Sequence, residues 1–175
     1  RVPMRLRAYA AIAYISSLSR TAFSWALLMN GLSVGLYIWI FTQLYTATYA
    51  AAHVQTIGGL TLCSVIWLLM FVQCFERATW PNPIYKIDEE IKTGAISYAL
   101  QRPYNYILYH LFSFYGRIFP TLLGNLVCGS IAALLLVGPF SLSIFGLLGG
   151  AIAIILGYTL DFFLFFMLGL MGFWV

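Results

Sequence analysis

The chain has 175 residues, of which 62% are hydrophobic and 8% are charged. A soluble domain carries about a quarter charged residues, so this composition excludes a water-soluble globular protein. The formal net charge of +4 comes from cations that flank apolar runs without forming a patch, which favours an anionic lipid bilayer as the partner and argues against nucleic acid.

The distribution of the cations predicts the topology. All nine Lys and Arg residues lie in two zones, at residues 1–20 and 77–117, and the segments around His53 and Pro139 have none. Translocation of Lys and Arg across a bilayer is disfavoured, so both zones are expected on the cytoplasmic side. We therefore predict a multi-pass protein of the inner (plasma) membrane with a cytoplasmic N-terminus.

The N-terminal segment, residues 1–21, is too polar to span a bilayer and too apolar for a free tail. Its arginines flank Leu6, Tyr9 and Ile15, which predicts a helix lying in the inner membrane interface. The alternative is a cytoplasmic extension of the first span.

The charge-free stretch that follows is too long for one span and right for two, since about 20 apolar residues cross a bilayer. We predict a first span from Ala22 to about Tyr45, an outer loop over Thr46–Thr56 and a second span from about Ile57 to Phe75. Gly31 and Gly35 form a GxxxG pair in the first span. That spacing permits close helix packing, which makes both glycines candidates for a dimer interface.

The middle segment, residues 84–103, begins after two prolines. Ile84, Ile87 and Ile91 share one face of a predicted helix, and charged residues occupy the other face. Thr93-Gly94 predicts the end of that helix. Docking on a protein partner and a merely solvated loop remain alternatives on periodicity alone.

Two further spans follow, giving an all-α polytopic helical bundle with about four transmembrane helices. A semi-polar helix from Tyr104 leads into the third, which is predicted over about Ile118–Val137 with Pro120 kinking or beginning it. The fourth is predicted within Ser141–Val175. One tilted fourth span is preferred over a pair of helices broken around Gly157–Asp161.

Asp161 is the one ionisable residue far inside an apolar run. A carboxylate there costs roughly 2.5–3.5 kcal/mol on insertion scales, so it is a candidate pathway residue or is paired with a neighbouring helix. The chain shows no metal-ligand spacing, no catalytic motif and no phosphate loop, so we predict no catalytic, metal or cofactor site. Any energy must come from a partner or from an ion gradient.

The run EEIKTGAISYALQRPYNY, residues 89–106, is similar to the membrane subunits of type-2 ABC exporters, particularly bacterial efflux permeases. In that family E-I-[RK]-[ST]-G, a short hydrophobic stretch and R-P follow the second span. The resemblance covers essentially the whole chain, including the order of its parts. A complete subunit of that family has six spans, so the resemblance implies that this chain is its N-terminal portion.

The resemblance also implies a mechanism. The middle segment would be a coupling helix that docks on a separate ATP-binding subunit, which would itself bind ATP and Mg, and a second permease copy or a related permease would complete the transporter. The expected substrate is hydrophobic or amphiphilic and is exported. The residues expected to make the partner contact are Asp88, Glu89, Glu90, Ile91 and Lys92, with Gly94 as the bend.

Two other functions remain open. One is an ion-gradient-driven secondary transporter in which Asp161 holds the coupling ion and the middle segment is only a linker. The other is a membrane scaffold protein without transport activity.

Overall fold

The computed structural model describes residues 2–22, 24–79, 83–101, 105–140 and 143–173. Within these ranges the chain is almost wholly helical, as its composition predicts. The elements in chain order are α1 (Val2–Thr21), α2 (Ser24–Ala52), β1 (Thr56–Ile57), β2 (Leu60–Thr61), α3 (Leu62–Ala78), α4 (Pro83–Lys92), α5 (Ala95–Leu100), α6 (Tyr106–Val137), α7 (Ile144–Leu170) and a closing 3₁₀ turn (Met171–Phe173).

Three of the described helices are long and apolar enough to cross a membrane, which confirms the polytopic all-α class. They are α2, α6 and α7, with apolar stretches of 28, 32 and 27 residues. α3 has 17 residues and a length of about 25 Å at 1.5 Å per residue. It therefore lies at the short end of the range for spanning helices, and the predicted count of about four depends on it.

The segment between the first two predicted spans differs from the prediction. The outer loop expected over Thr46–Thr56 is mostly helix, because α2 continues to Ala52. The second span begins at Leu62 and not at about Ile57, because the chain first forms an antiparallel hairpin between β1 and β2. Its two turn residues, Gly58 and Gly59, both have positive φ, as a two-residue type I′ turn requires. The hydroxyl of Tyr49 donates a 2.8 Å hydrogen bond to the Leu60 carbonyl and ties the hairpin to α2.

The last two spans are continuous helices. The semi-polar helix expected ahead of the third span and the span itself, expected from about Ile118, form one helix, α6, which begins at Tyr106 and runs through Pro120. Pro120 therefore does not begin the helix. The final run forms one helix, α7, with no break around Gly157–Asp161. The single-helix interpretation of this run is thus confirmed, although the helix begins only at Ile144.

The chain forms two compact units, which are described separately. The second unit comprises residues 21–78 and 120–144. Its core packs Val34 and Ile38 of α2 against Ile66 and Met70 of α3 and Ala133 of α6. The indole of Trp67 donates a 3.1 Å hydrogen bond to the Gly138 carbonyl after α6.

The first unit comprises residues 1–20, 79–119 and 145–175. The helix predicted near the N-terminus is present as α1, and its placement in the membrane interface remains a prediction. α1 crosses α6 closely, because a Cβ atom on Gly116 would overlap the backbone of Ala13. The Ser16 and Ser113 hydroxyls lie 3.2 Å apart at the same crossing.

α6 also packs against α7 in this unit. The rings of Phe114 and Phe162 lie 5.5 Å apart between centroids, and both side chains are almost fully buried. The Tyr115 hydroxyl lies 2.7 Å from that of Thr159. The first unit therefore joins the middle segment, α1, the start of α6 and α7 into one packed body.

Candidate functional site around α4 and α5

α4 has one buried and one exposed side, as its periodicity predicts. The Ile87 side chain is fully buried, whereas Glu89 and Lys92 are exposed. The Lys92 ammonium lies 2.7 Å from the Asp88 carboxylate, one helical turn earlier. Exposed pairs of this kind contribute only a few tenths of a kcal/mol, so Asp88 and Lys92 fix local geometry more than stability. Ile91 is half-buried beside Ile87. The side chain of Ile84 and residues 102 and 103, also part of the predicted segment, lie outside the described residues.

Gly94 forms the bend between α4 and α5. Its φ is 72°, in the left-handed region that a Cβ atom disfavours. The Thr93 amide donates to the Glu89 carbonyl and the Gly94 amide to the Ile91 carbonyl, which closes α4. The chain then resumes a helix at Ala95. The structure thus places a bend at the residue for which the sequence predicts one.

Glu90 points into its own unit. Its Oε2 atom accepts a 2.6 Å hydrogen bond from the Tyr106 hydroxyl at the start of α6. The same oxygen lies 3.2 Å from Nε2 of His110, although the two atoms are not aligned for a hydrogen bond. Of the predicted contact residues, Glu90 is therefore bound within the chain, whereas Glu89 is exposed.

A cavity of about 250 Å³ opens between α4, α5 and the first turns of α6. Tyr98 stands at its mouth with 74% of its surface exposed, and His110 is 2% exposed. Nε2 of His110 has no hydrogen-bond partner among the described residues. The described lining residues are Glu90, Ala95, Tyr98, Ala99, Tyr106, Tyr109 and His110.

Lys86 lies behind one wall of this cavity. Its ammonium stands 5.7 Å from the centre of the Tyr109 ring, in a cation–π contact. Burial lowers the pKa of Lys86 and the nearby Arg117 guanidinium lowers it further, whereas the carboxylates of Glu90 and Glu89 act in the opposite direction. Lys86 thus has charged neighbours of both signs, two carboxylates on α4 and one guanidinium on α6.

The end of α7 reaches α4. The 3₁₀ turn after α7 packs against α4, and a Cβ atom on Gly172 would lie 2.7 Å from an Asp88 carboxylate oxygen. The absence of a side chain at Gly172 leaves room for the Asp88 carboxylate. α4 therefore contacts both the start of α6 and the turn after α7 in its unit.

The candidates for the pathway and the dimer interface lie elsewhere. Gly31 is buried in the second unit, where a Cβ atom would meet the Cys128 sulfur. Gly35 faces open space on the same helix. Asp161 is half-buried on α7 in the first unit. Gly31 and Gly35 thus belong to the second unit, and Asp161 belongs to the first.

The family of the chain follows from a comparison with known protein families. A family model described as "ABC-2 family transporter protein" matches residues 36–175, most of the chain and all of the α4–α5 segment. The chain belongs to the ABC-2 transporter family. No curated protein and no solved structure matches it. As an ABC-2 family member it is a permease component of an ABC transporter and a multi-pass membrane protein, which confirms the resemblance.

Three residues of this ABC-2 permease were missed as site residues in the sequence: Tyr98, Tyr106 and His110. His110 has no carboxylate at helical spacing on its own helix. Its neighbour, Glu90, comes from α4, 20 residues earlier, and such a pairing has no sequence signal. A signal did exist for Glu90, which follows the apolar Ile87 by three residues and so lies on the same side of the helix.

Proposed function

We propose that this ABC-2 permease couples ATP hydrolysis by a separate ATP-binding subunit to the efflux of a hydrophobic or amphiphilic substrate. In this proposal the partner holds ATP and Mg, and the α4–α5 segment docks on that partner. A second permease copy or a related permease completes the transporter. The observation that carries the proposal is the family match over residues 36–175, because ABC permeases work with ATP-binding subunits.

The exposed surface of α4 and α5 supports docking on a protein. Tyr85, Tyr98 and Leu100 expose 61%, 74% and 63% of their surface, and the charged residues Glu89 and Lys92 lie among them. Aromatic residues surrounded by polar ones are typical of protein interfaces. The carboxylates of α4 would be repelled by anionic lipid, which favours a protein over the bilayer as the occupant.

The packing of the first unit supports the transmission of movement from this segment. Glu90 joins α4 to the start of α6 through the Tyr106 hydrogen bond. The turn after α7 abuts α4 at Gly172. A displacement of α4 by a partner would therefore be transmitted to α6 and, through the turn after α7, to α7. Packed helices shift as whole elements in this way. Gly94 forms a bend between α4 and α5, so the two helices are separate elements.

The test is a reconstitution of the full-length permease with its ATP-binding subunit in proteoliposomes. We expect Glu89→Lys to lower co-purification of the two proteins and to lower permease-stimulated ATP hydrolysis several-fold, because it reverses an exposed charge of the docking surface. Ser19→Lys, which adds a cation to the exposed side of α1, serves as the control for charge and should leave both quantities unchanged.

The alternatives give different results in the same preparation. Substrate uptake driven by a proton gradient without ATP, and abolished by Asp161→Asn, would replace the proposal by a secondary transporter. A preparation with neither ATP-driven nor gradient-driven transport would favour the scaffold. Equal ATP hydrolysis with Glu89→Lys and with the unchanged protein would contradict the assignment of the docking surface.

A further inference from the structure

We propose that the cavity between α4, α5 and α6 is a socket for an arginine side chain of the ATP-binding subunit. This inference rests on the function proposed above and adds to it the chemistry of the contact. It assigns Glu90 a role that exposure alone would not suggest, since this carboxylate is 20% exposed and lies at the cavity instead of on the outer surface.

The size of the cavity favours a side chain over a small-molecule ligand. Its volume of about 250 Å³ is below the roughly 300–1,000 Å³ that is typical of small-molecule sites. It opens beside Tyr98, whose exposed ring belongs to the proposed docking surface. A side chain that projects from a docked protein can enter through this mouth.

The charge of the lining favours a cation. Glu90 is the one formally charged residue among the described lining residues. Three carboxylates against two ammonium groups in α4 leave the helix with a net negative charge. Tyr98, Tyr106 and Tyr109 add aromatic rings, whose faces attract cations and on which a planar guanidinium stacks better than an ammonium does.

His110 supplies the second, independent sign of a missing ligand. Its side chain is 98% buried and lines the cavity, yet its Nε2 atom has no hydrogen-bond partner among the described residues. Nε2 lies 3.2 Å from Oε2 of Glu90 without the alignment of a hydrogen bond. A guanidinium has five N–H donors in a planar fork and can donate to the Glu90 carboxylate from the cavity.

The binding experiment uses the full-length permease in nanodiscs and its purified ATP-binding subunit. We expect Glu90→Gln to weaken the affinity at least about tenfold, because it leaves a buried cation without its counter-charge. Glu76→Gln makes the same chemical change on α3, outside the segment, and should change the affinity less than about twofold. Tyr106→Phe keeps the carboxylate and removes its internal hydrogen bond, so a smaller loss is expected from it than from Glu90→Gln.

A photoreactive benzoylphenylalanine in place of Tyr98 identifies the occupant. We expect an adduct with the ATP-binding subunit next to an arginine. Changing that arginine to Gln should reproduce the loss caused by Glu90→Gln. The two changes together should cost no more than either one alone, as in a double-mutant cycle of a contacting pair.

Other outcomes overturn the inference and separate it from the proposed function. An adduct with lipid would show that the cavity takes a lipid ammonium group. An adduct with the ATP-binding subunit but equal affinities for the Glu90→Gln and Glu76→Gln variants would leave the proposed function standing without the socket. Equal losses from Tyr106→Phe and Glu90→Gln would assign the effect to loosened packing of α4 on α6. No binding between the two unchanged proteins would remove the proposed function itself.

Discussion

At the scale of single residues, two buried polar side chains of this permease have opposite surroundings. The Glu90 carboxylate is held by the Tyr106 hydroxyl. Asn125 of α6 is 1% exposed, and both its amide oxygen and its amide nitrogen lack hydrogen-bond partners among the described residues. In a membrane-spanning helix such an amide is an energetic cost without a compensating bond.

We predict that Asn125→Leu stabilises the protein, because leucine has the same branching as asparagine and needs no hydrogen bond. The expected gain in the free energy of unfolding is roughly 1–3 kcal/mol, measured by thermal unfolding in detergent. Thr42→Val is the control, since the Thr42 hydroxyl is buried but already bonded to the Ile38 carbonyl at 2.7 Å. It should give no gain. A loss of stability with Asn125→Leu would mean that the amide is hydrogen-bonded.

At the scale of elements, the close crossing of α1 and α6 determines how the N-terminal helix is held. It depends on Gly116, where any Cβ atom would meet the backbone of Ala13. Because a backbone cannot move aside as a flexible side chain does, the two helices must separate when this glycine is replaced. The opposite side of α1 exposes Tyr14, Ile15 and Leu18, and these apolar side chains suit contact with the membrane interface.

We predict that Gly116→Ala separates α1 from α6. The measurement is disulfide formation in a protein with Ser16→Cys and Ser113→Cys, whose native hydroxyls lie 3.2 Å apart. The disulfide should form readily in the parent and several-fold less after Gly116→Ala. Gly124→Ala on the same helix is the matched control, because a Cβ atom there meets nothing within 4 Å. Equal disulfide yields in both glycine variants would refute the close crossing.

At the scale of the whole molecule, the topology depends on whether α3 crosses the bilayer. If this helix of 17 residues crosses the bilayer, the α4–α5 segment lies on the same side as α1. If it does not, the two lie on opposite sides. The cations of both zones favour the first arrangement. The proposed docking on an ATP-binding subunit requires it as well. A helix this short crosses with local thinning of the bilayer at a modest cost.

We predict that α3 crosses the membrane. Single cysteines are introduced by Gln55→Cys beside the hairpin and by Glu89→Cys in α4, in a background without the native cysteines 63, 74 and 128. A membrane-impermeant maleimide should label position 55 in intact cells and position 89 only after permeabilisation. Labelling of both positions in intact cells would place the α4–α5 segment outside and end the proposed coupling.

Much of the fold follows from local sequence patterns and could be predicted from them. Apolar runs without charges predict spanning helices, and the Thr93-Gly94 pair predicts the bend after α4. The hairpin could also have been predicted, because Gly58-Gly59 stands between Ile57 and Leu60 and is a recognised turn signal. The extent of α2 was underestimated because polar residues at the end of a span do not stop a helix, and nothing in Thr46–Ala52 does.

The sequence by itself determined the membrane class, the family and the existence of a two-sided helix after the second span, because composition, charge distribution and periodicity are properties of neighbouring residues. Only the tertiary structure decided which side chains of α6 meet the glutamate that lines the cavity. Neighbouring residues on a helix differ by about 100° in direction, so Glu89 stays exposed while Glu90 meets Tyr106 and His110. The spacing from Ile87 already predicts that Glu90 lies on the apolar side of α4, but the contacts of Glu90 with Tyr106 and His110 depend on where α6 packs.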